Sequence, residues 1–351
     1  YGDHRDLHSF PTRRSSGSKN LAVIGNIYGE LQIIKGLKFK SSFGAEIRRS
    51  EAKSFSPVYF VSNSQKNDES SLSKTQTNGN YYTFENTLTY IKTFAEKHSL
   101  NIVAGYTNEW GKREVLGLSG RDFIGESPNL QYIDATLDKN KTTGTNYATD
   151  YGLISYLGRL HYEYDNRYLL TASFRRDGSS KFAKDNRWGN FPSFALGWRI
   201  NNEKFFKKLN ADWISSLKLR AGWGQIGNQN IGSYLDRSLL SLWTQYGALF
   251  GAGSNETLYQ GIAVRRLGNS NIKWETTESM NIGLDASFVN NKPIFSFEYY
   301  NKTTKDMLLA APMPKYMGYT DNTYTNIGAA NNRGIELNIE WRDQINDFEY
   351  N

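Results

Sequence analysis

The sequence predicts an all-β fold, namely part of a transmembrane antiparallel β-barrel with about eleven strands. Three observations favour this fold: apolar and polar residues alternate, the alternating segments exceed the usual strand length, and short connections alternate with long ones. Strict alternation places successive side chains on opposite faces of a sheet. A barrel wall requires this pattern because one face meets lipid and the other meets water.

The composition excludes several other classes of protein. The chain has 351 residues and no Cys, which excludes a disulfide scaffold, a Cys-ligated zinc or iron–sulfur site and a thiol nucleophile. No segment approaches the roughly 18 to 20 consecutive apolar residues that a membrane-spanning helix needs. The formal charge of +7 arises from 42 basic and 35 acidic residues spread along the chain. This distribution indicates a mixed polar surface and does not favour nucleic-acid binding.

Residues 1–16 differ from the pattern that follows. The segment YGDHRDLHSFPTRRSS is polar and aperiodic, and it resembles the translation of a sequencing-adapter oligonucleotide. We therefore expect residues 1–16 to be an artefactual, disordered leader and residues 17–351 to be part of the barrel domain. A disordered basic leader is the alternative.

The early strands each place one apolar row on one face. After a first strand within residues 20–33, the apolar rows are Leu37, Phe39, Phe43, Ala45 and Ile47; Tyr82, Phe84, Leu88 and Tyr90; and Leu100, Ile102, Ala104 and Tyr106. Two further rows, Ile154, Tyr156, Leu160, Tyr162 and Tyr164, then Tyr168, Leu170, Ala172 and Phe174, are separated by a predicted turn at Asp165 and Asn166. Dipeptides of this type favour a tight hairpin.

The later strands repeat the same pattern. Their apolar rows are Phe194, Leu196, Trp198 and Ile200; Leu217, Leu219, Ala221 and Trp223; Ile282, Leu284, Ala286 and Phe288; Phe295, Phe297 and Tyr299; and Ile335, Leu337, Ile339 and Trp341. We expect strands of roughly ten to fourteen residues, whereas strands of globular proteins average about five or six. Long strands with one apolar face and terminal aromatic residues favour a membrane crossing over a soluble sandwich.

The connections alternate between short and long. Short ones are expected at 35–36, 95–99, 165–166 and 290–293, with a medium one at 201–213, and long polar loops at about 50–79, 111–150, 178–190, 227–276 and 305–331. Short turns on one rim and long loops on the other are typical of transmembrane barrels.

The motifs for catalysis, metals or cofactors are weak. Gly222 to Gly227 match a dinucleotide fingerprint by letter, but they follow a strand pattern, so the glycines are expected to permit either close backbone packing or a bend in the barrel wall. Asp138 to Thr142 lack the Gly position and bidentate acid of a calcium loop. His161 is expected on the polar face as a hydrogen-bonding residue, and no G-x-S-x-G is present. We therefore predict no catalytic residue, no metal ligand and no cofactor.

Two groups of residues are candidates for contacts with a substrate or a partner. The first is Arg175, Arg176 and Asp177, which either shape the rim of the barrel or pair with one another before a Gly-Ser-Ser turn. The second is a set of aromatic residues expected in long loops, where they either stack on sugar rings or pack loop against loop. These are Trp110, Trp188, Trp243, Tyr246, Tyr259, Tyr316 and Tyr319.

Several segments resemble one family of transporters. They are DYGLISYLGRLHYEYDNRYLLTASFRRDGSSKF at 150–182, NRWGNFPSFALGWRI at 186–200, SLKLRAGWGQIGNQNIG at 216–232, NIKWETTESMNIGLDASF at 271–288, EYYNKTTKDMLL at 298–309 and NIGAANNRGIELNIEW at 326–341. Together they resemble the SusC/RagA family of TonB-linked outer-membrane transporters. The resemblance implies a 22-stranded barrel in the outer membrane, plugged by an N-terminal domain. It also implies a SusD-like surface lipoprotein, the TonB complex and an oligosaccharide or peptide substrate as partners.

The chain departs from this family in length. No plug domain or TonB-interacting segment precedes the first predicted strand, and residues 348–351 fall within a predicted hairpin. We therefore expect a fragment comprising about eleven of the family's strands, without the plug. The alternative is a plugless porin or a surface-exposed β-rich module for binding or adhesion.

Overall fold

The computed structural model describes residues 15–251, 257–319, 321–341, 343–345 and 348–350. The expected leader, residues 1–16, stays a prediction: residues 1–14 lie outside the described residues, and Ser15 and Ser16 already belong to the first strand. Among the described residues, no helix has both the length and the apolar character required to cross a membrane.

Antiparallel strands dominate the described part of the chain. In chain order they are β1 Ser15–Ile34, β2 Leu37–Ser56, β3 Tyr59–Ser62, β4 Gln65–Asn67, β5 Ser71–Phe94, β6 His98–Arg121, β7 Thr143–Tyr164, β8 Tyr168–Ser179, β9 Trp188–Arg199, β10 Ile214–Asn228, β11 Leu239–Phe250, β12 Thr257–Arg266, β13 Glu275–Phe288, β14 Pro293–Lys305, β15 Leu308–Ala311, β16 Thr323–Asn326, β17 Ala330–Trp341, β18 Asp343–Ile345 and β19 Phe348–Tyr350. A single α-helical turn, α1, is described at Lys204–Lys207, and short 3-10 turns lie at Pro128–Leu130, Ile133–Ala135, Lys139–Lys141, Lys184–Asn186, Ile200–Asn202 and Lys315–Met317.

Eleven of these strands form one sheet, as the alternation predicted. The strand order is β1-β2-β5-β6-β7-β8-β9-β10-β13-β14-β17, so each strand pairs with the next long strand along the chain. The turn between β7 and β8 carries Asp165 and Asn166, both with φ of 51°. Two successive residues with positive φ are typical of tight hairpins, because their twist matches that of the paired strands.

Strand length is where the sequence prediction was wrong. Strands β8, β9, β10, β13, β14 and β17 have 12 to 15 residues, but β1, β2, β5, β6 and β7 have 20 to 24. A crossing needs only about 9 to 11 residues. Beyond the apolar band the apolar rows stop alternating with polar residues, while backbone pairing continues.

The expected long loops are shortened for the same reason. Strand β2 runs to Ser56 and β5 begins at Ser71, while β6 runs to Arg121 and β7 begins at Thr143. Two-stranded hairpins β3–β4, β11–β12 and β15–β16 occupy part of the segments expected to be loops. The short turns lie at the opposite strand ends, as predicted.

The chain divides into two compact units. One contains the described residues up to 27 with 43–83 and 109–151; the other contains 28–42, 84–108 and the described residues from 152 onward. The core of the first is Phe55, Leu72 and Phe123, with the rings of Phe55 and Phe123 packed edge to face at 5.9 Å. The core of the second comprises Leu153, Phe182, Phe191, Ile231, Leu235, Ile272 and Trp274. These cores involve the connections and the adjoining strand ends, so the apolar middle of the sheet remains exposed.

Candidate functional site

The apolar side chains of the second unit align across neighbouring strands. Leu219 on β10 pairs with Leu284 on β13, which pairs with Phe297 on β14, which pairs with Leu337 on β17. Leu219 is 40% exposed and Leu337 is 59% exposed. Large apolar side chains that remain exposed in contiguous rows mark an interaction surface. Their alternation and length fit the lipid face of a membrane strand.

The opposite face carries an ion-pair network centred on Arg220. The guanidinium of Arg220 lies 3.2 Å from the carboxylate of Asp285 and also contacts the carboxylate of Glu298. Ser296 donates a hydrogen bond of 2.8 Å to Asp285, and the Asn281 amide donates one of 3.2 Å to Glu298. Charged groups that satisfy one another in this way suit a water-filled or protein-filled interior rather than lipid.

Gly283 makes room for this network. It lies directly between Arg220 and Glu298 in the strand register. A Cβ at Gly283 would lie 2.6 Å from Cζ of Arg220. Only glycine therefore lets the guanidinium cross β13 and reach the carboxylate on β14.

The glycines of the false dinucleotide fingerprint have a related role. Gly222 and Gly224 lie within β10, not at a helix N-terminus. A Cβ at Gly222 would collide with the Asn281 amide, and one at Gly224 would lie 2.7 Å from Cβ of Ser193. These glycines border a recess of about 530 Å³ that Tyr300 also lines. Because a Cβ would clash at both positions, the prediction that these glycines permit close packing is confirmed.

Aromatic rings mark both ends of the apolar band. At the end with long connections, Tyr156 stacks at 6.1 Å on Trp188. At the end with short turns, Tyr164 and Tyr168 stack at 6.3 Å, Trp198 lies 6.4 Å from Phe205, and Trp213 lies 5.6 Å from Phe288. Two such girdles are expected where the strands meet the membrane interfaces.

A buried carboxylate fixes the turn between β9 and β10. Glu203 is 6% exposed and accepts hydrogen bonds from Tyr168 Oη at 2.5 Å, Trp198 Nε1 at 3.0 Å and Arg167 Nη1 at 2.8 Å. The hydrogen bonds from Tyr168 and Trp198, together with the one from Arg167, hold the pKa of the Glu203 carboxyl below its ordinary value. This cluster was not predictable from the alternating pattern, because only its aromatic members, Tyr168 and Trp198, belong to the apolar rows.

The candidate residues at 175–177 separate onto two faces. Arg175 Nε lies 2.7 Å from Asp177 Oδ1, and Arg175 Nη2 donates to Ser155 Oγ at 2.9 Å. Arg176 instead lies over the Trp188 ring, 5.1 Å from its centroid. The expected turn at Gly178 and Ser179 was wrong, because both residues belong to β8. Their extended backbone continues to pair with neighbouring strands above the apolar band.

The candidate aromatic residues do not all lie in loops. Trp110 lies on β6 and stacks at 5.3 Å on Tyr82, within the first unit. Trp188 lies on β9 and is 39% exposed. The loop assignment of both was wrong, because their strands extend further than the apolar alternation indicated. Both belong to apolar faces.

The remaining aromatic candidates lie in the segments that connect the long strands. Trp243 and Tyr246 fall within β11, but their side chains lie outside the described residues. Tyr259 on β12 is 58% exposed, and Tyr316, in the turn Lys315–Met317, is 89% exposed. Tyr319 is partly buried. Contact of these residues with a substrate or partner stays a prediction.

The described residues contain no cluster of His, Asp and Glu suited to a metal ion. His161 lies on β7 and its Nδ1 is 2.9 Å from Thr171 Oγ1 on β8. His98 begins β6, with Nδ1 2.7 Å from Tyr162 Oη. Asp138 accepts a hydrogen bond from the Asn140 backbone, which is a local turn interaction.

An antiparallel sheet with one apolar face, one polar face and aromatic girdles at both ends defines the wall of an outer-membrane β-barrel. The chain belongs to the family of TonB dependent receptor-like β-barrels, which it matches over residues 10–351. The fold class and the outer-membrane location predicted from the sequence are thereby confirmed.

The relatives include receptors from two bacteria. The chain is 34% identical to the TonB-dependent receptor P39 of Formosa agariphila over 315 residues, covering 89% of this chain and 28% of the relative. It is 39% identical to the TonB-dependent receptor SusC of Bacteroides thetaiotaomicron over 225 residues, covering 63% of this chain and 22% of the relative. These relatives are receptors and not enzymes.

A solved structure shows the same fold. The structure of the RagAB peptide transporter matches with a TM-score of 0.80 and 25% identity, covering 95% of this chain and 35% of the matched chain. The RagAB peptide importer in its open-open state matches with a TM-score of 0.79 and 26% identity, again over 95% and 35%. The chain therefore matches 22% to 28% of the length of these receptors and 35% of the matched chain in the solved structures.

Proposed function

We propose that this chain forms part of the barrel wall and extracellular loops of a SusC-like, TonB-dependent importer. In this proposal, the importer works with a SusD-like surface lipoprotein and takes up oligosaccharides or peptides. The observation that carries the proposal is the separation of the two faces of the sheet. The Leu284 row faces lipid, while the Arg220 network faces the interior.

The role of this segment in import is passive. The ion pairs of Arg220 with Asp285 and Glu298 keep the inner wall polar, which suits contact with water or with a plug domain in the lumen. The long connections form the outer chamber. Energy coupling belongs to the TonB complex, which in this family acts through a plug domain. The match to a peptide transporter supports peptide as one substrate class, and the match to SusC supports the family assignment.

The test is uptake by cells that express the complete reading frame containing this chain. Labelled oligosaccharides and labelled peptides are supplied separately, with and without a functional TonB complex. The proposal predicts uptake of one class that is abolished when TonB is lost. Uptake that persists without TonB supports a plugless porin instead. If deletion of the gene leaves uptake of both classes unchanged but abolishes binding of the labelled molecules to the cell surface, an adhesion module is supported instead.

A further inference from the structure

Two consecutive arginines on β8, Arg175 and Arg176, project from opposite faces of the sheet. Arg175 is on the polar face, where Asp177 and Ser155 satisfy its guanidinium at 2.7 and 2.9 Å. Asp177 is 8% exposed and Ser155 is fully buried. Arg176 has the opposite orientation because side chains alternate along a strand. It therefore projects from the lipid-facing side of the sheet.

Aromatic rings fix the level of Arg176 relative to the membrane. Its guanidinium lies 5.1 Å from the centroid of Trp188, within range of a cation–π interaction. Trp188 in turn stacks on Tyr156, which is 50% exposed and pairs with Arg176 in the strand register. Tryptophan and tyrosine on the lipid face sit at the headgroup level of a bilayer. Arg176 therefore lies among lipid headgroups.

Among the residues that the structure describes, no acidic side chain neutralises Arg176. Within the described part of the chain, it forms no ion pair with an acidic side chain, and its side chain is exposed. The adjoining connection between β8 and β9 carries two further exposed cations, Lys184 and Arg187, and one exposed acid, Asp185. The exposed side chains therefore carry a net positive charge at this edge of the apolar band.

We propose that Arg176, held on the face of Trp188, binds a phosphate group of the glycolipid of the outer leaflet. The connection between β8 and β9 is at the end of the sheet that carries the long connections, and this end faces the cell exterior in such barrels. The lipid at that level is therefore that of the outer leaflet. A planar guanidinium suits phosphate because it donates two parallel hydrogen bonds.

The experiment measures lipid binding by the protein expressed from the complete reading frame and purified in detergent. Native mass spectrometry follows titration with lipid A carrying two phosphates, with the same lipid A after removal of both phosphates, and with phosphatidylethanolamine. The variant is Arg176→Gln. The matched control is Arg159→Gln, which removes the same charge from the polar face of β7, where Arg159 pairs with Ser173.

The proposal predicts that Arg176→Gln binds phosphorylated lipid A about fivefold more weakly, as expected for loss of one interfacial cation. The control variant binds it like the unaltered protein. The unaltered protein also prefers the phosphorylated lipid to the dephosphorylated one, a comparison that requires no variant. Equal binding of both lipid A forms, or unchanged affinity in a folded Arg176→Gln protein, overturns the proposal. Equally tight binding of phosphatidylethanolamine overturns its assignment to the glycolipid.

Discussion

Placing an arginine at Phe297 tests which face of the sheet meets lipid. Phe297 lies between Phe295 and Tyr299 on β14, at the centre of the apolar row. Its cross-strand neighbours are Leu284 and Leu337, so the new guanidinium would have only apolar side chains beside it in the register. Arg at the bilayer midplane costs about 2–4 kcal/mol on the lipid face of a barrel. At about 1.4 kcal/mol per factor of ten, this lowers the folding equilibrium constant roughly 30- to 700-fold.

The matched control is Asn338→Arg. Asn338 follows Leu337 on β17 and pairs with Ser296 on the polar face, so its depth is similar and its face is opposite. Ser287 and Ser296 are poorer controls, because Ser287 is 6% exposed and Ser296 donates a hydrogen bond to Asp285.

Both variants of the complete barrel are folded into lipid vesicles. Urea titration then measures the free energy of unfolding, and heat-modifiable gel mobility measures the folded fraction. We expect a large loss of stability for Phe297→Arg and a change of less than about 1 kcal/mol for Asn338→Arg. Equal losses in the two variants would refute the assignment of the faces.

The other predictions concern the polar face and the short-turn rim. Replacing Gly283 by Leu forces the Arg220 guanidinium away from Glu298, which should cost about 1–3 kcal/mol in the same titration. Gly158→Leu, at a site with no atom within 4 Å of an added Cβ, should cost less, and the reverse order would contradict this reading. Because the folded-state pKa of Glu203 lies below its ordinary value of 4.5, its contribution to stability is present above about pH 4.5 and lost as the pH falls through the lower folded-state value. The urea midpoint of Glu203→Gln should therefore depend less on pH below 4.5 than that of the unaltered protein. Identical pH profiles would show that the hydrogen bonds to Glu203 do not lower its pKa.

The main sheet was predictable because lipid and water impose a period of two on every crossing strand. Leu219, Leu284, Phe297 and Leu337 fall in one row in the structure, and each belongs to an apolar row predicted from the sequence. The β7–β8 hairpin was predictable from its turn residues. Outside the apolar band apolar and polar residues no longer alternate, so no sequence pattern predicted the extended ends of β5 and β6 or the small hairpins.

The polar network was not predictable from local pattern. Arg220 contacts Asp285 and Glu298, which lie 65 and 78 positions away in the chain. Only the strand register brings these residues together, and the sequence alone does not define that register. One signal was available, since Gly283 interrupts the polar positions of a strand at the site where a neighbouring side chain needs space.

The most direct test of the membrane-wall account is a residue-by-residue scan of accessibility along β14. The chain has no Cys, so a single Cys introduced at each position from Phe295 to Tyr300 provides a unique site within it for a spin label. In a lipid bilayer, collision rates with oxygen report exposure to lipid, and those with a water-soluble nickel chelate report exposure to water. We predict high oxygen accessibility at residues 295, 297 and 299, alternating with low values at 296, 298 and 300. A uniform profile, or alternation in the opposite phase, would contradict the account.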